Sequence, residues 1–224
     1  MRYHLDMDEI KDNHLVHPSL VIPAYGQPDP PNVPGKVYNA VRLDGQTQYL
    51  DIGNHLKDCL GSPKLCNHGF TASLWANFRS LQDNAYYFSS GGGLTMYYDK
   101  GKLHISIYAA DKHWEVKSAN LKTDTWYFVE FTWHLEKGLQ LYINNKLVDE
   151  HKAPAISMIR TPPSDSSVLV GKSNAQDGEG VRTKFGDFVV DELEFWFRDR
   201  DNLIAFEHIL RGNMLVQPSL SSCV

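Results

Sequence analysis

The chain has 224 residues, 42% of them hydrophobic and 22% charged, enough apolar content for one large core or two small ones, and this excludes disorder over most of its length. Lys and Arg number 22 against 27 Asp and Glu, a formal net charge of −5, and no basic run exceeds two residues, so there is no electrostatic footprint for a nucleic-acid partner. No stretch approaches the roughly 18 consecutive apolar residues of a membrane span, and the segment from Met1 to Asp6 lacks the apolar run of a signal peptide.

Residues 1–35 hold six of the 11 prolines, and the stretch from Gln27 to Gly35 cannot be helix or central strand, so the segment reads as an extended arm. Leu15, Val16, Leu20, Val21 and Ile22 are too apolar for a purely solvated tether, and partial docking onto the domain is expected. From Lys36 the pattern turns to β. Val37–Leu43 and Thr47–Ile52 flank an Asp44-Gly45 turn, and Phe70–Phe78 alternates with Phe70, Ala72, Leu74, Ala76 and Phe78 on one face. Tyr86–Ser90, Leu94–Tyr98 and Leu103–Tyr108 follow at hairpin spacing, separated by Gly91-Gly92-Gly93 and by Asp99-Lys100-Gly101. Trp126–Trp133, Leu139–Ile143, Val168–Gly171 and Phe188–Phe197 complete the strands, and Asn144-Asn145 suits a left-handed turn. One helix is expected, with Asp201 as N-cap, an apolar stripe of Leu203, Ile204, Phe206, Ile209 and Leu210, and Gly212 as terminator. Many short strands with a single helix predict an all-β antiparallel sandwich or barrel.

Cys59 and Cys66 bracket the turn-rich segment Leu60–Leu65, which can bring the sulfurs together, and closing so short a loop would stabilise by roughly 2–3 kcal/mol. The alternative is two unrelated thiols in a reducing compartment. Cys223 is left either free or bonded to another chain, which makes oligomerisation through it a further expectation.

Gly35–Gly45, Tyr49–Ile52, Phe70–Trp75, Asp124–Val129, Leu141–Lys146 and Val190–Trp196 together resemble, in order and spacing, the laminin-G-like and pentraxin group of concanavalin A-like jelly rolls. The resemblance runs over 36–212, leaving 1–35 as an N-terminal arm and 213–224 as a tail carrying Cys223. It implies an antiparallel two-sheet jelly roll with one short C-terminal helix, in an extracellular or cell-surface protein, serving recognition or adhesion of a protein or glycan ligand. Trp75, Trp126, Trp133 and Trp196 lie within strands and are expected as core filler, while a sugar-stacking platform is sought at His113-Trp114 and Tyr86-Tyr87.

Calcium is the cofactor the resemblance raises. Val170–Glu179 resembles the pentraxin ligand loop, with Asp177 as the leading ligand and Asn174, Gln176 or Glu179 assisting; the competing reading is a solvated turn. Ala175 stands where pentraxins carry an acidic residue, and Ser90-Gly91-Gly92-Gly93 replaces a second ligand pair. The same jelly roll also hosts glycosidases, whose signature is three carboxylates at i, i+2 and i+4 on one strand. Here Glu192 and Glu194 take the first two positions but Trp196 takes the third, with Asp191 on the opposite face beside Leu193, so no catalytic residue is assigned. The 10 histidines show no zinc spacing, and no nucleophile elbow occurs. Three recognition surfaces are expected: the Asn174–Gly180 loop, the Gly91–Gly93 hairpin and Ala109–Trp114. A glycoside hydrolase and a structural assembly domain are the alternative functions.

Overall fold

The computed structural model describes residues 2–5, 10–11, 14–17, 20–26, 28–109, 111–152, 155–157, 164–174 and 184–201. They form two sheets. The first runs, from edge to edge, β15 (Lys146–His151), β14 (Gly138–Ile143), β13 (Trp126–His134), β8 (Phe70–Phe78), β19 (Asp187–Trp196), β6 (Asn39–Asp44) and β5 (Asn32–Pro34), with β1 (Arg2–Leu5) also paired to β19. The second runs β16 (Ala155–Ser157), β12 (Lys112–Lys117), β11 (Lys102–Ala109), β10 (Leu94–Asp99), β9 (Ala85–Ser90), β17 (Ser167–Val170), β7 (Tyr49–Asn54), β4 (Leu20–Tyr25), β3 (His14–His17) and β2 (Ile10–Lys11). Every pairing is antiparallel except the short β18 (Lys184–Phe185), which lies parallel to β9. This is the jelly-roll sandwich that the strand spacing and the resemblance predict. Arg200 and Asp201 are helical, and the rest of the helix expected to reach Gly212, like Cys223, lies outside the described residues.

Alternation puts Phe70, Ala72, Leu74, Ala76 and Phe78 of β8 into the interior, opposite Leu94 and Met96 of β10, Leu103, Ile105 and Ile107 of β11 and Val116 of β12. Aromatic contacts join the two layers. Trp133 meets Trp114 edge-on at 5.4 Å, Phe78 meets Tyr87 at 4.7 Å, and Phe88 lies 6.4 Å from Phe195. Of the four tryptophans expected inside, Trp133 is buried. Trp75, Trp126 and Trp196 instead pair with Asp191, Asn77 and Thr71 on the outward face of the first sheet and are half-buried. They have the opposite parity to the inward apolar residues, and strand parity outweighs hydrophobicity here.

β19 contains a register shift between Asp191 and Glu194, with Glu192 at φ 48. The bulge lets Phe188 and Val190 point inward before it and Leu193 and Phe195 after it, all four buried. It also corrects the expected placement of the acidic residues. Asp191 and Glu194 both pair with outward residues of β8, Trp75 and Ser73, and Asp191 does not share a face with the core residue Leu193.

Local chemistry sets the turns. Asp44 accepts backbone N–H bonds from Gln46, Thr47 and Gln48, shaping the β6–β7 connection; burial opposes its ionisation, but these bonds outweigh it and lower its pKa. Asn144 and Asn145 have φ values of 51 and 63, as the hairpin between β14 and β15 requires. Cys59 and Cys66 are joined in a disulfide with Cα atoms 4.8 Å apart, closing the loop that carries the 3₁₀ turn Pro63–Leu65.

The triple-glycine hairpin packs on that loop and is not a free recognition surface. A Cβ on Gly92 would stand 1.6 Å from the Gly61 carbonyl oxygen, and one on Gly91 would stand 1.8 Å from that of Asp165. Gly92→Ala is therefore expected to destabilise the fold by about 2–3 kcal/mol, and loss of the disulfide in Cys59→Ser/Cys66→Ser by a similar amount, about 2–3 kcal/mol. Because the two elements touch, the combined variant should lose less than the sum in urea denaturation; strict additivity would show that the hairpin and the loop are independent.

Candidate functional site

The outward face of the second sheet carries a polar cluster on β10, β11 and β12, whose alternate residues are Thr95 and Tyr97, His104, Ser106 and Tyr108, and His113, Glu115 and Lys117. Glu115 is its centre. Its Oε1 accepts from the Tyr97 hydroxyl at 2.9 Å and lies 2.8 Å from His104 Nδ1, while its Oε2 is 3.0 Å from Lys117 Nζ. His104 Nε2 also lies 3.1 Å from the Asp99 carbonyl, so His104 makes both bonds only when both ring nitrogens carry hydrogen. The Tyr97 ring stacks on His104 at 4.9 Å. Burial pushes the Glu115 carboxyl up, but hydrogen bonds from His104, Lys117 and Tyr97, together with the His104 charge, outweigh it and hold the pKa at about 2.

Beside this centre, Ser106 Oγ and His113 Nε2 are 2.6 Å apart, and the His113 ring stacks on Tyr108 at 4.2 Å. Ser106 is fully buried, which denies it the access a nucleophile needs. At the margin, His151 of β15 accepts from the Glu115 backbone N–H and Asp149 accepts from that of Lys117, so the edge of β12 is covered by side chains of the first sheet.

The four residues sought as a sugar platform do not come together. Trp114 and Tyr87 are buried in the inter-sheet core, and Tyr86 is fully buried on the outward face against Tyr97. His113 alone keeps partial exposure, because the pleat sends neighbouring residues to opposite faces. Of the expected calcium ligands, Asn174 is buried, its N–H donating to Ser89 Oγ and its side-chain Nδ2 to the Ser167 carbonyl at 2.8 Å. Gln176, Asp177 and Glu179 lie outside the described residues, as does most of the Asn174–Gly180 loop. Among the described residues no group of three His, Cys, Asp or Glu side chains is arranged to hold a metal.

A second feature lies on the outward face of the first sheet. Val37 and Tyr38, expected as the start of a strand, belong to the loop between β5 and β6. Asp191, 0% exposed, accepts from the backbone N–H groups of Lys36 at 2.7 Å and Val37 at 2.8 Å through Oδ2. Gly35 donates to the Tyr38 carbonyl at 2.9 Å, and a Cβ at Gly35 would stand 2.7 Å from Asp191 Oδ2. The loop so held presents Tyr38 at φ 54 and 83% exposed, next to Val37 at 38%. Lys36 Nζ lies 5.0 Å over the Trp75 ring, which packs at 5.2 Å on Phe128 with Trp126 two residues along the same face. Sequence reasoning missed this corner, although Pro34-Gly35 before Asn39 is a turn signal that would have separated Tyr38 from the strand.

A search of curated proteins found no match to the chain. Among solved structures, domain 4 of AbnA, a GH43 extracellular arabinanase from Geobacillus stearothermophilus in complex with arabinotriose, is similar with a TM-score of 0.56 and 13% identity, covering 86% of this chain and 89% of that one. The binding domain of botulinum neurotoxin serotype D/C is similar with a TM-score of 0.61 and 14% identity, covering 88% of this chain and 48% of that one. A botulinum neurotoxin DC binding domain in complex with rat synaptotagmin II gives 0.57 and 13%, covering 80% and 43%. The chain thus spans about half the length of the toxin domains, and at these identities the likeness is one of fold. The sequence itself matches the family model described as the concanavalin A-like lectin/glucanases superfamily over residues 44–201, from the β6–β7 turn through the bulged strand β19. The chain belongs to that superfamily.

Proposed function

We propose that this domain is a non-enzymatic extracellular recognition module that binds a protein or glycan ligand through the Lys36–Tyr38 loop and the aromatic face beside it. The observation that carries this reading is Tyr38, an almost fully exposed tyrosine at a positive φ, in a loop whose Lys36 and Val37 N–H groups donate to the buried Asp191 carboxylate. Backbone strain of this kind costs on the order of 1–3 kcal/mol and persists where its surroundings over-determine it. A loop already ordered in the free protein also loses little conformational entropy on binding. Tyrosine and tryptophan beside a cation are the side chains that most often dominate binding energy. The fold neighbours support the reading, since they include a domain in complex with arabinotriose, a toxin binding domain in complex with synaptotagmin, and botulinum neurotoxin type C, whose cell entry depends on interaction with two ganglioside molecules.

The chemistry of the carboxylates argues against hydrolysis. Glycoside cleavage needs a proton donor and a second carboxylate across the bond. Glu115 has a pKa of about 2 and is ionised at neutral pH, so it donates no proton, and the bulge at Glu192 removes the alternation that would pair Glu192 with Glu194.

On a glycan array and on intact cells, the wild-type chain is expected to be retained, and Tyr38→Ala to weaken that binding by about 30-fold, the size of a loss of about 2 kcal/mol. Equal retention of Tyr38→Ala, or measurable turnover of arabinan or β-glucan, would overturn the proposal.

The acidity of Glu115 also sets a pH dependence of stability. Its folded pKa lies below the unfolded value, so its contribution is fully present above about pH 5 and is lost as pH falls toward 2. Allowing for solvent screening at this partly exposed group, that contribution is about 1–2 kcal/mol. Glu115→Gln should lower stability at pH 7 and flatten the decline between pH 5 and 2 in acid denaturation curves; parallel wild-type and variant curves would refute the assignment.

A further inference from the structure

The N-terminal arm joins the sandwich at a cross-strand pair of tyrosines. β4 is paired with β7 at two positions, Ala24 with Leu50 and Tyr25 with Tyr49. Ala24, Leu50 and Ile52 enter the core, so alternation sets Tyr25 and Tyr49 together on the outward face of the second sheet. Their rings are stacked, with centroids 4.8 Å apart and planes 15° from parallel. Tyr25 is 42% exposed and Tyr49 is half-buried.

The surroundings hold this pair in place. Gly26 follows Tyr25 at φ 124, where a Cβ would stand 2.7 Å from Gln48 Cγ, and Gln48 Nε2 donates to the Pro28 carbonyl at 2.6 Å. The chain leaving Tyr25 is therefore clamped to the chain entering Tyr49. Lys172 Nζ stands 4.3 Å over the Tyr49 ring, and Phe185 packs on it at 6.2 Å. Burial, and after it the Tyr25 hydroxyl and Asp51, raise the Tyr49 pKa, so Tyr49 is a neutral phenol at neutral pH.

We propose that Tyr25 and Tyr49 are a site of oxidative modification, coupled by hydrogen peroxide and a one-electron-oxidising peroxidase into an intramolecular dityrosine that fastens the arm to the domain. The exposed Tyr25 meets the oxidant and loses one electron and its phenol proton. The stacked contact passes the oxidation to Tyr49, and Tyr25 is oxidised a second time, which leaves a tyrosyl radical on each ring. One carbon–carbon bond then forms between the carbons ortho to the two hydroxyls. Each of those carbons releases its hydrogen as a proton, and each phenol oxygen regains one from water. In sum the protein loses two hydrogens and one hydrogen peroxide is reduced to two waters. Proximity in a fixed geometry favours this coupling over encounters between molecules. Tyr86 and Tyr97 also meet, at 5.7 Å, but both are buried away from an oxidant. Tyr38, 83% exposed in the loop between β5 and β6 of the first sheet, couples between molecules instead. The cross-link does not rest on the role of the Tyr38 loop in ligand binding.

The test treats the whole chain with a haem peroxidase and stoichiometric hydrogen peroxide, isolates the monomer by size exclusion under denaturing conditions, and reads dityrosine fluorescence and tryptic peptide masses. The monomer is expected to carry dityrosine, with tryptic peptide 12–36 joined to 43–57 at the sum of their masses less two hydrogens. Tyr25→Phe and Tyr49→Phe, which keep both rings, should each lower the monomer's dityrosine at least about tenfold, the factor by which a held pair outruns chance encounter. Tyr38→Phe should leave it intact and reduce covalent dimers. The cross-linked monomer should melt about 5 °C or more above the untreated chain, because the link closes a loop in the unfolded state. Dityrosine confined to dimers, a monomer cross-link that survives Tyr25→Phe, or one joining other peptides would overturn the site, and an unchanged melting temperature would overturn its fastening role.

Discussion

The bulge in β19 is the constraint from which both the core and the exposed loop follow. The strand lies at the centre of the first sheet, with β8 on one side and β6 and β1 sharing the other. A regular strand keeps one parity. Its inward residues here are Phe188 and Val190, then Leu193 and Phe195, so the parity must change once between Val190 and Leu193. The positive φ of Glu192 makes that change. Without it, one of the two apolar pairs would face outward, at about 1.5–3 kcal/mol for each side chain removed from the interior.

The same irregularity places Asp191 on the outward face beneath the β5–β6 loop. A buried carboxylate is costly unless hydrogen-bonded, and the backbone N–H groups of Lys36 and Val37 are two of its partners. The anchoring is mutual: the carboxylate is stabilised by the loop, and the loop is ordered by the carboxylate. Gly35 allows the approach, since any side chain there would collide with the Asp191 oxygen. The route from core packing to a presented Tyr38 therefore passes through one residue.

The second sheet handles its outward face differently. Its polar residues bond to one another, with Glu115 gathering Tyr97, His104 and Lys117, and side chains from β15 cover the free backbone groups of β12. Such a network gives geometric specificity, and it holds its one carboxylate, Glu115, in the ionised form. In a superfamily named for both lectins and glucanases, that distinction is made by individual side chains and not by the fold.

Read alone, the sequence determined the strand class, the two-sheet architecture and the family. Those rest on local pattern, such as the alternation of Phe70–Phe78, the Asn144-Asn145 turn and glycine placement, and a period of two is written residue by residue. The spacing of Cys59 and Cys66 likewise made the disulfide legible, though as one of two readings. The tertiary structure alone decided which face each aromatic takes. Trp75 and Trp114 both lie in strands, yet one faces outward and the other fills the core, and the face of Trp75 follows from its pairing with Asp191, on a strand far away in sequence. It alone decided that Gly91–Gly93 meets the disulfide loop and that Asp191 reaches Lys36 across 155 positions. Long-range pairing sets those distances, and no window of local sequence contains both partners.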